Sequence, residues 1–154
     1  MSYIQQNLNK IKSQLPSNVT LVAVSKTKPV EDLMEAYNAG QRIFGENKIQ
    51  EMTEKWQQMS KDIEWHMIGH VQSNKVKYMV QYVKLIHGVD SLKLLKEINR
   101  QAVRWRKNIN CLLQIHIAEE ETKFGLDENE LIELLNSDEF KEMTNIKVIG
   151  LMGM

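Results

Sequence analysis

The chain has 154 residues, enough for one domain with its own hydrophobic core. Lysine plus arginine equals aspartate plus glutamate at 20 each, so no net charge argues for nucleic acid or an anionic membrane, and any anion site must be local. The one cysteine, Cys111, excludes an intrachain disulfide, no apolar run is long enough to span a bilayer, and the N-terminus is too polar for a signal-peptide core, so the reading is cytoplasmic.

In chain order, Ile4, Leu8, Ile11 and Leu15 mark one face of an amphipathic helix over residues 3–15, which Pro16 ends. Residues 20–25 are short and valine-rich and read as a buried strand. Pro29 opens a helix carrying Val30, Leu33, Met34 and Tyr37, with Gly40 as its left-handed stop. Residues 42–47 form the second strand and its tip. Ile49, Met52, Trp56 and Met59 give the next helix, and residues 63–68 the third strand. Ser73 is placed to cap a helix with Val76, Met79 and Val80. A fourth strand over 83–89 is followed by a helix from Ser91 bearing Leu92, Leu95, Ile98, Ala102 and Trp105. The fifth strand covers 111–117, and 118–125 is a polar loop. Asp127 with Glu130 three residues on predicts a capping box for a helix with Leu131, Leu134 and Leu135, and the sixth strand covers 147–152.

An N-terminal helix followed by regular βα alternation implies parallel strands. No G-x-G-x-x-G or G-x-x-x-x-G-K-[ST] string follows any strand, which favours a (β/α)₈ TIM-barrel type over an open nucleotide-binding sheet. Six strands do not close such a barrel, which typically needs more than about 200 residues. The expectation is an incomplete α/β barrel of about six parallel strands, forming a single domain over 1–154 that lacks the last two βα units.

In a parallel barrel the active site sits at the C-terminal mouth of the strands. Lys26, Lys28, Glu46, Asn47, His66, His70, Lys75, Asp90, His116 and Lys123 all fall at or after strand ends. Lys26 has two readings, a solvated loop lysine or a Schiff-base amine. An amine attacks a carbonyl only when neutral, which a desolvated mouth or the nearby cations Lys28, Lys75 and Lys123 would favour; spacing alone does not decide. The spacing of His66, His70, His87 and His116 is not that of a metal site, and they read as core and loop residues. Cys111 reads as core, the Glu119–Glu121 run as a solvated loop, and the methionines mostly as core.

The strings Val24-Ser25-Lys26-Thr27-Lys28-Pro29, Phe44-Gly45-Glu46-Asn47, residues 65–75 (WHMIGHVQSNK), Lys123-Phe124-Gly125 and Gly150-Leu151-Met152 recur in this order. Together they resemble the pyridoxal phosphate homeostasis protein family, which is similar to the N-terminal barrel of alanine racemase. The resemblance implies a barrel holding pyridoxal 5′-phosphate (PLP) at its mouth. It maps Lys26 to the Schiff-base lysine, Asn47, His66 and Met152 to the pocket lining, and Lys28 and Lys123 to lysines near the cofactor that take part in its exchange. Family members continue beyond Gly150-Leu151-Met152 for two βα units, which carry Ser/Gly-rich phosphate loops and an arginine near the pyridine nitrogen. Residues 1–154 alone are therefore expected to bind PLP weakly or not at all and to expose apolar edges.

The function implied is cofactor storage and delivery, without an established catalytic reaction. Its partners are PLP and the apo forms of PLP-dependent enzymes, and no metal, nucleic acid or membrane is involved. The family implies a monomer, while exposed edges would favour self-association. The alternative is a PLP-dependent amino-acid racemase-like enzyme, which would need a second acid/base on the far face of the substrate. A third reading, a barrel binding a sugar phosphate, fits the fold but ignores the motifs.

Overall fold

The computed structural model describes residues 1–117 and 124–154. Helix α1 (Tyr3–Gln14) starts at Ser2, whose hydroxyl accepts the Gln5 N–H while the Gln5 side chain accepts the Ser2 N–H. Six parallel strands follow in one sheet: β1 (Ala23–Val24), β2 (Ile43–Glu46), β3 (Glu64–Met67), β4 (Val83–Val89), β5 (Ile109–Ile115) and β6 (Ile146–Gly153). They lie side by side in chain order, with α2 (Val30–Asn38), α3 (Ile49–Gln58) and α4 (Leu92–Trp105) among the connections. This is a βα-barrel run that does not close, since β1 and β6 each pair on one side only among the described residues.

Paired residues in a parallel ladder point to the same face of the sheet. Ala23, Phe44 and Trp65 form one row in register, and Val24, Gly45 and His66 the next. Phe44 and Trp65 are buried, with ring centroids 5.9 Å apart, in the layer where α3 packs on β2 and β3. Full burial of such a side chain stabilises by roughly 1.5–3 kcal/mol. The second row lines the inner face, and parallel strands bring all six C-terminal tips to one side.

The expected β1 over 20–25 shrinks to Ala23–Val24. It is an edge strand with one neighbour, and only these two residues find register partners, Phe44 and Gly45. Ser73 does not cap an α-helix; it is the first residue of a 3₁₀ helix (Ser73–Tyr78) preceded by Gln72 with no side-chain cap. Val76 and Met79 are both fully buried and three residues apart, a spacing that matches three residues per turn. The fifth strand begins two residues earlier than expected, at Ile109. The Asp127–Glu130 capping box opens α5 (Glu128–Asn136) as expected. A short α6 (Asp138–Lys141), capped by Ser137, was not legible as a helix. Gly40 ends α2 with φ 105°, the left-handed conformation its position called for. Among the described residues no helix is long and apolar enough to cross a membrane.

Candidate functional site

Lys26 stands in the turn that leaves β1, with its side chain exposed. The mouth does not bury it, because β1 is an edge and no strand pairs with its outer side among the described residues. The backbone around it is nonetheless tightly held. Ser25 is buried, its N–H donates to the Gly45 carbonyl at 2.9 Å, and its hydroxyl donates to Glu46 Oε2. On the other side, Thr27 adopts φ 65°, unusual for a β-branched residue, and its N–H donates to Glu51 Oε2 at 2.7 Å.

The next tips bring Asn47, Gly69 and the two histidines toward the same end of the sheet. A Cβ on Gly69 would lie 2.7 Å from Asn47 Cβ and 2.8 Å from the Asn47 carbonyl oxygen, so only glycine lets the β3 tip come this close. Asn47 Oδ1 is buried and has no hydrogen-bond partner among the described residues. His66 Nδ1 and His87 Nε2 lie 2.9 Å apart, one donating to the other. Burial, and to a smaller degree His87 and Lys84, holds the His66 imidazole at about 4, and burial lowers His87 as well. Both rings are therefore neutral at pH 7, and a neutral pair can share one hydrogen bond. Met152 on β6 is half-buried and in register with the buried Gln114 on β5.

Other candidates lie elsewhere. Glu46, expected at the mouth, points the opposite way: Gly45 takes the inner face, so the next residue faces the helix layer, where Glu46 is fully buried. Lys28 lines an outer groove of about 420 Å³ with Tyr3, Leu8, Asp32 and Phe44. Lys75 also faces outward, in a groove between α3 and the 3₁₀ helix with Gln50, Thr53 and Tyr78. His70 stands beside Phe124, ring centroids 4.6 Å apart, and its Nδ1 is 3.9 Å from Asp90 Oδ2. Cys111 is fully buried, and burial pushes its thiol up to about 12, which makes it core. Among the described residues no three His, Cys, Asp or Glu side chains gather within reach of one metal ion. Lys123 and the Glu119–Glu121 run lie outside the described residues.

Sequence reasoning missed Lys55, Glu51 and the outward turn of Glu46. Lys55 is buried on α3, and its ammonium donates to Ser25 O at 2.8 Å, Glu46 Oε2 at 2.9 Å and Glu51 Oε2 at 2.7 Å. Two signals were present. Glu51 and Lys55 are spaced i,i+4 in the favourable order, and Lys55 falls three residues after Met52 on the helix's apolar face.

The family described as alanine racemase, N-terminal domain, matches residues 1–154. The pyridoxal phosphate homeostasis protein of Pasteurella multocida is 39% identical over 160 residues, a match that covers 100% of this chain and 66% of that protein. Among solved structures, PipY of Synechococcus elongatus with PLP bound superposes with a TM-score of 0.89 at 35% identity, covering 98% of this chain and 70% of that one. An alanine racemase of Clostridium difficile, at 18% identity and TM-score 0.79, shares the fold over 97% of this chain and 39% of its own. The chain thus spans about two thirds of the length of the curated relatives it matches.

Proposed function

This chain belongs to the alanine racemase N-terminal domain family, among its pyridoxal phosphate homeostasis proteins, and from that premise we propose that residues 1–154 form one PLP-binding domain that holds the cofactor reversibly at Lys26 and hands it on to apo enzymes. The relatives carry the name of a homeostasis protein and not of an enzyme, which supports a carrier over a catalyst. The observation that carries the reading is Lys26 itself: an exposed primary amine at a strand tip, on a backbone fixed on both sides.

PLP, when bound, supplies an aldehyde that condenses reversibly with a primary amine as water leaves. Lys26 is the amine in this reading. Asn47 supports it through Oδ1, a buried oxygen that a hydroxyl donor on the ligand would satisfy. His66, kept neutral by burial and to a smaller degree by repulsion from His87 and Lys84, would give the pocket a polar wall without charge. Met152 would add an apolar contact from β6. Lys28 and Lys123 are assigned to exchange of the cofactor, Lys28 from its groove beside the β1 tip.

Mixing the chain with PLP should produce the visible absorption of a Schiff base. Lys26→Ala should abolish it while leaving the far-ultraviolet circular dichroism unchanged. An equal band in the variant would refute Lys26 as the anchor.

A further inference from the structure

We infer that Glu51, locked in place by Lys55 and through it by Glu46, is a positioning residue that sets the direction of Lys26 for capture of PLP. The inference rests on the reading of Lys26 as the Schiff-base amine.

Lys26 is flanked by two residues, and both are tied to the same helix. Before it, the Ser25 carbonyl accepts from Lys55 Nζ at 2.8 Å. After it, the Thr27 N–H donates to Glu51 Oε2 at 2.7 Å. The two ties meet, because Lys55 also donates to that Glu51 oxygen at 2.7 Å. The third ammonium proton goes to Glu46 Oε2 at 2.9 Å, which the Ser25 hydroxyl also reaches. All three donors of a buried lysine are thus used, each on an element that borders the Lys26 turn. Charge-assisted bonds of this kind are the strong ones, and the buried cation cannot leave its acceptors without going unpaired.

Thr27 shows that the turn needs holding. A threonine at φ 65° is in the left-handed region, which β-branched side chains avoid. Released from Glu51, Thr27 has every reason to return to negative φ. That rotation swings the backbone next to Lys26, and with it the arc its amine sweeps. Geometry at a reacting amine is worth orders of magnitude in rate, so capture slows, beyond the stability lost when buried Lys55 gives up one of its three acceptors. The Glu51 side chain is 24% exposed, so its truncation leaves the packed core of α3 intact.

The test uses the full chain with Glu51→Ala and Glu51→Gln. Three quantities are read: the rate at which PLP plus borohydride labels Lys26, the rate at which acetic anhydride acetylates Lys26 without PLP, and the intraresidue HN–Hα nuclear Overhauser effect of Thr27, which is strong at positive φ and weak at negative φ. Glu51→Ala should move Thr27 out of the left-handed region and slow PLP labelling by about tenfold, the worth of one lost charge-assisted bond, with acetylation unchanged. Glu51→Gln keeps an oxygen to accept the Thr27 N–H and should stay within about threefold of wild type. Wild-type labelling in Glu51→Ala overturns the positioning role, as does an intraresidue HN–Hα Overhauser effect at Thr27 that stays strong. If wild type itself is not labelled at Lys26, the carrier reading falls and this inference with it.

Discussion

Acidification should weaken this fold through His66 before most carboxylates respond. His66 is 7% exposed, and burial, with smaller contributions from His87 and Lys84, holds it at about 4 against an ordinary 6.5. A histidine whose folded pKa lies below its unfolded one stabilises the fold fully above the unfolded value. It loses that contribution as pH falls toward the folded value, because only the unfolded chain takes up the proton. The window for His66 therefore runs from 6.5 down to about 4. At about 1.4 kcal/mol per pH unit the whole effect is about 3 kcal/mol, of which about 2 kcal/mol disappears between pH 7 and pH 5. Glu51 and Glu97, held below the usual carboxylate value, lose their contributions only below 4.5. Glu46, raised by burial, works in the opposite sense, since the folded chain takes up its proton first. Comparison with His66→Asn cancels these carboxylates. Urea unfolding followed by tryptophan fluorescence at pH 7, 6 and 5 should show wild type losing about 2 kcal/mol more than the variant. Equal losses would refute burial as the force that keeps His66 neutral.

Gly69→Ala places a Cβ 2.7 Å from Asn47 Cβ, so the β2 and β3 tips must part. It should cost about 2 kcal/mol in urea unfolding and weaken PLP binding in a titration, and unchanged stability would contradict the close approach. Asp127→Ala removes the carboxylate that accepts the Glu130 N–H in the α5 capping box, while the N–H of residue 127 keeps its bond to the Glu130 side chain. It should cost about 1 kcal/mol, with Asp127→Asn close to wild type in thermal unfolding, because the amide oxygen still accepts the Glu130 N–H.

Elements whose residues decide their own conformation were legible. The fourth strand was expected over 83–89 and runs Val83–Val89, because its apolar residues are flanked by clear breaks and it has a neighbour on each side. The α5 cap was legible because Asp127 and Glu130 satisfy each other locally. Partner-dependent features were not. The length of β1 depends on how much of β2 reaches it, and the 3₁₀ geometry of 73–78 depends on burying Val76 and Met79 together. At the site, strand ends marked Lys26, Asn47 and His66 as candidates, and their roles in the pocket are proposals. Which face each tip residue takes needs the register, so Glu46 was assigned to the mouth when alternation turns it to the helix layer. Lys55 escaped notice because a lysine on a helix normally reaches solvent; only the acceptors Ser25, Glu46 and Glu51 make its burial tolerable.

The central claim is that Lys26 is the amine that holds PLP. Incubation of the chain with PLP, reduction with borohydride, protease digestion and mass spectrometry read this directly. The account predicts the phosphopyridoxyl group on the peptide containing Lys26, with Lys28 and the other lysines labelled only at background. A label concentrated on any other lysine, or spread evenly over all of them, would contradict it.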